Sequence, residues 1–336
     1  CSSDLVRSRP VRIILLVAAM VAALLGAAGA GQSPAHAQPA HHRLIPSAVP
    51  ATTPNILDGR TLAIAEVGSK VFVGGTFTLA QNPDTSAQLP TPYLFAYDRG
   101  TGVIDPVFAP ALDGQVTAIV ASPDGSALYV AGTFKLAGTT KVRNVIKINT
   151  TTGALVPGFK NPSPNGSVLD LALVGSRLFL AGTFTTVATL PRAGLASLSA
   201  TTGEVDEYLK VAVDTNHNWP SGTAKAPVGV GKLAASPDGS RLVGIGNFKH
   251  ADGLDRDQVV LIRLGTDNAY VDPDWKTTRY TPACSKNSFD SYVRDVDYSP
   301  DSSYFVVASS GAGYNGTLCD RSEEHTSELQ SRFGIS

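Results

Sequence analysis

The side chains of this 336-residue chain best suited to chemistry are those that interrupt its own internal pattern. Residues 211–228 form an insertion that contains Asp214, Asn216, His217, Asn218, Trp219 and Pro220. A tryptophan among amides and a carboxylate has the composition of a sugar-stacking loop. The indole offers an apolar face, and the polar neighbours bond hydroxyl groups. Trp219, His217, Asn218 and Asp214 are therefore the candidate ligand-binding residues. The competing reading is a tryptophan that caps the edge of a sheet.

Other candidates carry weaker chemistry. Asp295 and Asp297 alternate along one apolar run and so share a strand face. With Arg294 opposite and Asp290 nearby, they could line a channel or hold a cation, or they could be a surface hydrogen-bonding pair. The stretch Asp252-Gly253-Leu254-Asp255-Arg256-Asp257 vaguely resembles a calcium loop, but lacks the order and closing glutamate of an EF-hand. A second departure, residues 280–292, holds Tyr280, Lys286, Asn287 and Phe289 and reads as a surface loop. There is no Gly-x-Ser-x-Gly elbow, phosphate loop or His-Glu-x-x-His stretch. No catalytic residue, metal ligand or cofactor is assigned.

These candidates interrupt a repeat. Gly-Gly-Thr-Phe stands at 74–77, Ala-Gly-Thr-Phe at 131–134 and 181–184, and Ile-Gly-Asn-Phe at 245–248, each after a short apolar run. Tyr97, Ile148, Leu198 and Leu264 close a second apolar run. Eleven residues after each stands a large apolar residue: Phe108, Phe159, Leu209 and Trp275. Turns mark the same frame. Ser-Pro-Asp-Gly stands at 122–125 and 236–239, Ser-Pro-Asp-Ser at 299–302, and Thr-Gly at 101–102, 152–153 and 202–203. Apolar runs that alternate, bounded by such turns, are strands. A period of 50 to 64 residues holding four short strands predicts an all-β fold, a β-propeller of four-stranded antiparallel blades. Phe77, Phe134, Phe184 and Phe248 are expected to fill the space between neighbouring blades. Trp275 belongs to the repeat and is expected in the core.

The repeat resembles the delta-60 family of bacterial β-propeller repeats. The second copy carries the resemblance best: Val130-Ala131-Gly132-Thr133-Phe134, then Arg143-Asn144-Val145-Ile146-Lys147-Ile148-Asn149, then Thr152-Gly153. The likeness spans roughly residues 61–310 and is weakest at Gly246-Asn247-Phe248. It implies an extracellular or surface-exposed binding scaffold and supplies no catalytic residues.

The ends differ from the repeat. Residues 1–37 have the form of an export signal, with Arg7, Arg9 and Arg12, an apolar stretch over 13–25, and Ala35-His36-Ala37 before Gln38. A membrane anchor is the alternative, because residues 13–30 are an apolar run of 18. Residues 38–54 read as a flexible linker and 55–320 as the propeller repeats. Residues 321–336, from Arg321 onward, resemble an in-frame translation of a sequencing adapter. They are expected to be an artefact, which would leave about four blades and part of a fifth. Export also fits the cysteines. Beyond residue 37 only Cys284 and Cys319 remain, and an even pair in an exported chain suggests a disulfide. It would close a loop of about 36 residues and contribute about 3–4 kcal/mol in the chain-entropy model. The alternative is two unpaired thiols.

Charge excludes one class of partner. Of 27 basic and 28 acidic residues, three and one lie before position 38, and two and three after 320. The remaining 22 and 24 leave a net charge near −2, without the basic stripe that nucleic acid requires. Two function classes stand. The first is a secreted or cell-surface, non-enzymatic binding or scaffold module for glycan or protein, monomeric at full length and not membrane-spanning once mature. The second is a propeller enzyme, a lyase or hydrolase of extracellular glycans, using channel carboxylates.

Overall fold

The computed structural model describes residues 51–83, 85–217, 226–281 and 291–310, with the backbone of the short strands Gly313–Tyr314 and Thr317–Leu318. The export-like segment, the adapter-like tail, Asn218, Trp219, Lys286, Asn287, Phe289, Asp290 and both Cys284 and Cys319 lie outside the described residues. The expectations placed on them have no structural counterpart here.

The protein is all-β, with many small antiparallel sheets and no helix among the described residues. Five successive units share one plan: a lead strand, a second strand antiparallel to it, and in the first four a third strand on the far edge of the second. The first unit comprises Thr61–Val67, Lys70–Gly75 and Leu94–Asp98. The second comprises Val116–Ala121, Ala127–Gly132 and Val145–Asn149. The third comprises Val168–Val174, Arg177–Gly182 and Leu195–Ser199. The fourth has Gly229–Ala235, Arg241–Asn247 and Val259–Leu264, followed by Ala269–Val271. The fifth has Val293–Tyr298 and Phe305–Ser309.

The expected fourth strand is a true strand only in the fourth unit. In the first three it shrinks to single antiparallel bridges, Tyr97 with Ile104, Ile148 with Leu155 and Leu198 with Val205. These sheets are thus three-stranded with a bridged edge rather than four-stranded. The loop between second and third strands carries instead a short outer hairpin in each of the first four units, such as Leu136–Ala137 with Thr140–Lys141.

The second strands of the first four units are buried on both faces, which explains their unbroken apolar runs; that of the fifth alternates buried and exposed. Consecutive sheets pack face to face, with one apolar core between each successive pair. Phe72 of the first unit shares a core with Ile119 and Phe134 of the second. Tyr129 of the second lies with Leu171 and Phe184 of the third. Phe179 lies with Leu233 and Phe248, and Val243 with Val296 and Phe305. Phe77, Phe134, Phe184 and Phe248 are all buried, as their repetition predicts. Trp275 is only partly buried and sets its ring edge-on to Phe305, with centroids 5.5 Å apart.

The glycine of Gly-Thr-Phe is needed for close approach. A Cβ on Gly132 would sit 2.0 Å from the Gln115 carbonyl oxygen, and one on Gly182 2.1 Å from that of Ser167. The Ser-Pro-Asp-Gly turn works as its residue types require. The Asp124 carboxylate accepts the Ser122 and Ser126 hydroxyls at 2.5 and 2.8 Å, and Gly125 takes φ of 68°. Ser302 adopts the same conformation, with φ of 62°, in the third copy.

Candidate functional site

The four residues singled out at the insertion do not form one described site. Asp214 lies on the strand Val213–Asp214, which extends the outer hairpin of the fourth unit by pairing with His250–Ala251. Its carboxylate is exposed and meets His250 Nδ1 at 2.7 Å. That hydrogen bond, with one from the Thr215 hydroxyl, holds the Asp214 carboxyl below its ordinary range. His250 Nε2 lies 3.6 Å from a second exposed carboxylate, that of Asp255.

His217 is turned the other way and is buried. Its Nδ1 is 2.6 Å from Asp257 Oδ1, and its Nε2 is 3.2 Å from Gln258 Nε2. The neighbours of Gln258 set its orientation: its amide nitrogen donates to the Tyr280 carbonyl at 2.7 Å, and its oxygen accepts the Tyr292 N–H at 3.0 Å. An amide NH2 only donates, so His217 Nε2 accepts and Nδ1 carries the proton given to Asp257. Both ring nitrogens are therefore used within the protein. His217 also packs edge-on to Tyr292, with ring centroids 5.5 Å apart. The calcium-like stretch dissolves in the same way: Asp252 accepts Ala212 N–H, Asp255 faces His250, and Asp257 holds His217.

A different set of polar groups is brought together by the lead strands. Each of the five carries a bulge at the same place, between Thr61 and Ala63, Val116 and Ala118, Val168 and Asp170, Val230 and Lys232, and Val293 and Asp295. A bulge inserts one residue and re-aims the side chain that follows. The lead strands of consecutive units lie side by side, so the five re-aimed positions form a row: Ala63, Ala118, Asp170, Lys232, Asp295. The first two are small and the last three are charged.

Asp170 is the pivot of this row. Its carboxylate accepts Leu171 N–H at 3.0 Å and, across the junction, Leu233 N–H at 2.9 Å. Lys232 Nζ stands 4.0 Å away. Burial pushes the Asp170 carboxyl above its ordinary value; Lys232 and the two N–H groups oppose that rise, and the Asp295 charge adds to it. A part-buried carboxyl beside an ammonium and a second carboxylate can exchange a proton or bind hydroxyl and amine groups. Asp295 was legible from its strand alternation. Asp170 and Lys232 were not, although Val168-Leu169-Asp170, Val230-Gly231-Lys232 and Val293-Arg294-Asp295 stand in one register. Among the described residues, no group of three or more His, Cys, Asp or Glu side chains is arranged to hold a metal ion.

Comparison with known proteins places the chain in no family. No family model matches it, and no curated protein matches it. Among solved structures, hydrazine synthase of Kuenenia stuttgartiensis aligns with a TM-score of 0.45 and 15% identity, over 85% of this chain and 62% of that one. The chain thus spans less than two thirds of that protein chain. The computationally designed Ika4 protein aligns with a TM-score of 0.34 and 14% identity, over 62% of this chain and 92% of that one. Both likenesses are weak, and neither carries an assignment.

Proposed function

We propose that the chain is a β-propeller of the delta-60 type, exported by its N-terminal segment, that serves as a secreted or cell-surface binding or scaffold module for glycan or protein. The observation that carries this reading is the series of five equally registered sheets whose lead strands lie side by side. A radial array directs such strands toward a common axis and leaves its connecting loops at the two ends, where ligands are met. The insertion at 211–228 is the largest such departure. Trp219 would supply its stacking surface, Asn218 and Asp214 would supply polar groups, and His217 would hold the loop's base.

A second reading, a propeller enzyme acting on extracellular glycans, is favoured by one feature. Asp170, with its raised pKa, faces Lys232 and Asp295 on the strands that would line the axis. A glycan array run beside a reducing-end release assay separates the two. Binding without release that is lost in Trp219→Ala and kept in Asp170→Asn supports the module. Release abolished by Asp170→Asn in a folded protein supports the enzyme and removes the first reading.

A further inference from the structure

We infer that the first unit holds a binding site for the guanidinium of an arginine side chain carried by a partner polypeptide. The inference rests on one position followed through four units. Thr91, Val142, Arg192 and Arg256 are equivalent, because each N–H donates to the carbonyl of the residue after the repeated phenylalanine: Thr78, Lys135, Thr185 and Lys249. The third and fourth units place a buried arginine there. The second places Val142, which packs against an apolar core. The first has Thr91.

The two arginines show which acceptors this position meets. Arg192 Nη1 donates to the Pro191 carbonyl at 2.7 Å, and Nη2 to the Asp206 carbonyl at 3.0 Å and Glu207 Oε1 at 2.9 Å. Arg256 Nη1 donates to the Asp255 carbonyl at 2.7 Å, and Nη2 to those of Asp272 and Pro273 at 2.8 and 3.3 Å. Backbone carbonyls thus hold the guanidinium of the fourth unit. The first unit carries the same acceptors. Asp105 matches Asp206 and Asp272, because their N–H groups donate to the equivalent carbonyls of Ala96, Ser197 and Leu261. Pro106 then matches Pro273, and Pro90 matches Pro191 and Asp255.

In the first unit Pro90, Thr91, Asp105 and Pro106 line one cavity of about 330 Å³. That is the small end of the range for ligand sites. Phe95 and Ile104 are its buried walls, while Pro90, Pro92 and Pro106 are exposed, so the cavity opens to the surface. Thr91 is 7% exposed, and its Oγ1 is buried without a hydrogen-bond partner among the described residues. A hydroxyl oxygen in that position can accept a guanidinium N–H. The surrounding charges match as well: Asp105 pairs with Lys70 at 2.6 Å, as Asp272 pairs with Arg263 at 2.7 Å beside the buried Arg256. Both internal guanidinium groups arrive from a peptide backbone on an aliphatic stem. The apolar walls suit such a stem, and the exposed prolines at the mouth suit a second backbone. The site makes no use of the insertion at 211–228.

Saturation-transfer NMR on the purified chain tests this, with a capped Gly-Gly-Arg-Gly-Gly peptide as the probe and its lysine and citrulline counterparts as controls. The arginine peptide is expected to bind saturably. The controls are expected to bind at least about tenfold more weakly, because lysine lacks the planar fork and citrulline lacks the charge. Thr91→Arg gives the first unit its own guanidinium, as in the third and fourth, and is expected to abolish binding. Thr91→Val keeps the shape of the cavity, removes the Oγ1 acceptor and is expected to weaken binding about tenfold. Far-UV circular dichroism and urea unfolding report whether each variant is folded; should Thr91→Arg fail to fold, Thr91→Val decides. An unmodified chain that does not bind the arginine peptide overturns the inference. So do lysine or citrulline peptides that bind equally well, and so does unchanged binding in either folded variant. Agmatine binding more tightly than the peptide would overturn the polypeptide partner and assign the site to a free alkylguanidine.

Discussion

The first three units and the fourth share a register but anchor their outer hairpins by different means. In the first three, one side chain just before the lead strand accepts two backbone N–H groups that follow the repeated phenylalanine. Asp58 takes those of Thr78 and Leu79, Asp113 those of Lys135 and Leu136, and Asn165 those of Thr185 and Thr186. In the fourth unit Pro227 occupies that place and cannot do so. Lys249 N–H goes instead to the carbonyls of Asp214 and Thr215. Asn247, which replaces the usual threonine before phenylalanine, accepts His217 N–H and donates to the carbonyls of Ala226 and Pro227. One side chain thus joins two parts of the insertion, His217 and Ala226-Pro227. A regular unit is stapled by a single exposed acceptor, whereas the departing unit needs a buried polar network.

The largest test of what the units share is Phe134→Ala. Truncating a buried aromatic at a junction is expected to destabilise the protein by about 3–5 kcal/mol, measured by urea unfolding. Phe248→Ala in the fourth unit is expected to fall in the same range, and a much smaller effect there would break the equivalence. The anchors should differ. His217→Ala leaves Asp257 without its imidazole partner and Gln258 with one bond fewer, and is expected to destabilise by roughly 1–3 kcal/mol. Asn165→Ala, which removes an exposed acceptor, is expected to lose about 0.5–1.5 kcal/mol. Equal losses would show that the buried network adds nothing over the simple staple.

Acid separates the turns from the lead-strand row. Hydrogen bonds from Ser122 and Ser126 hold the Asp124 carboxyl at about 2, and Ser299 and Ser303 hold that of Asp301 at about 2. A depressed pKa contributes stability above the ordinary carboxylate value, and that stability is lost as pH falls toward 2. The stability gap between the unmodified chain and Asp124→Ala should therefore close between about pH 4 and pH 2 in acid titrations of unfolding. Asp170 has the opposite sign. Its raised pKa means the folded state holds the proton more tightly, so its contribution is complete below the ordinary value and declines as pH rises through the raised one. Asp170→Asn is expected to flatten that decline in the same titration; an unchanged slope would show that Lys232 and the N–H groups fully compensate burial.

Much of this protein was written in local residue chemistry. The Gly-Thr-Phe phrase, the Pro-Asp-Gly and Thr-Gly turns and the constant spacing to Phe108, Phe159 and Leu209 dictate short strands, their order and the buried phenylalanines. Backbone conformation and apolar alternation act over a few residues and so leave a readable pattern. What tertiary structure decided depends on groups far apart in the chain. The outer hairpins rest on strands of two or three residues, too short to announce themselves. The fourth strand shrinks to a single bridge in the first three units and is a paired strand only in the fourth. His217 turned inward because Asp257 and Gln258 wait forty residues away. Asp170 and Lys232 became neighbours only because bulged strands of successive units lie side by side.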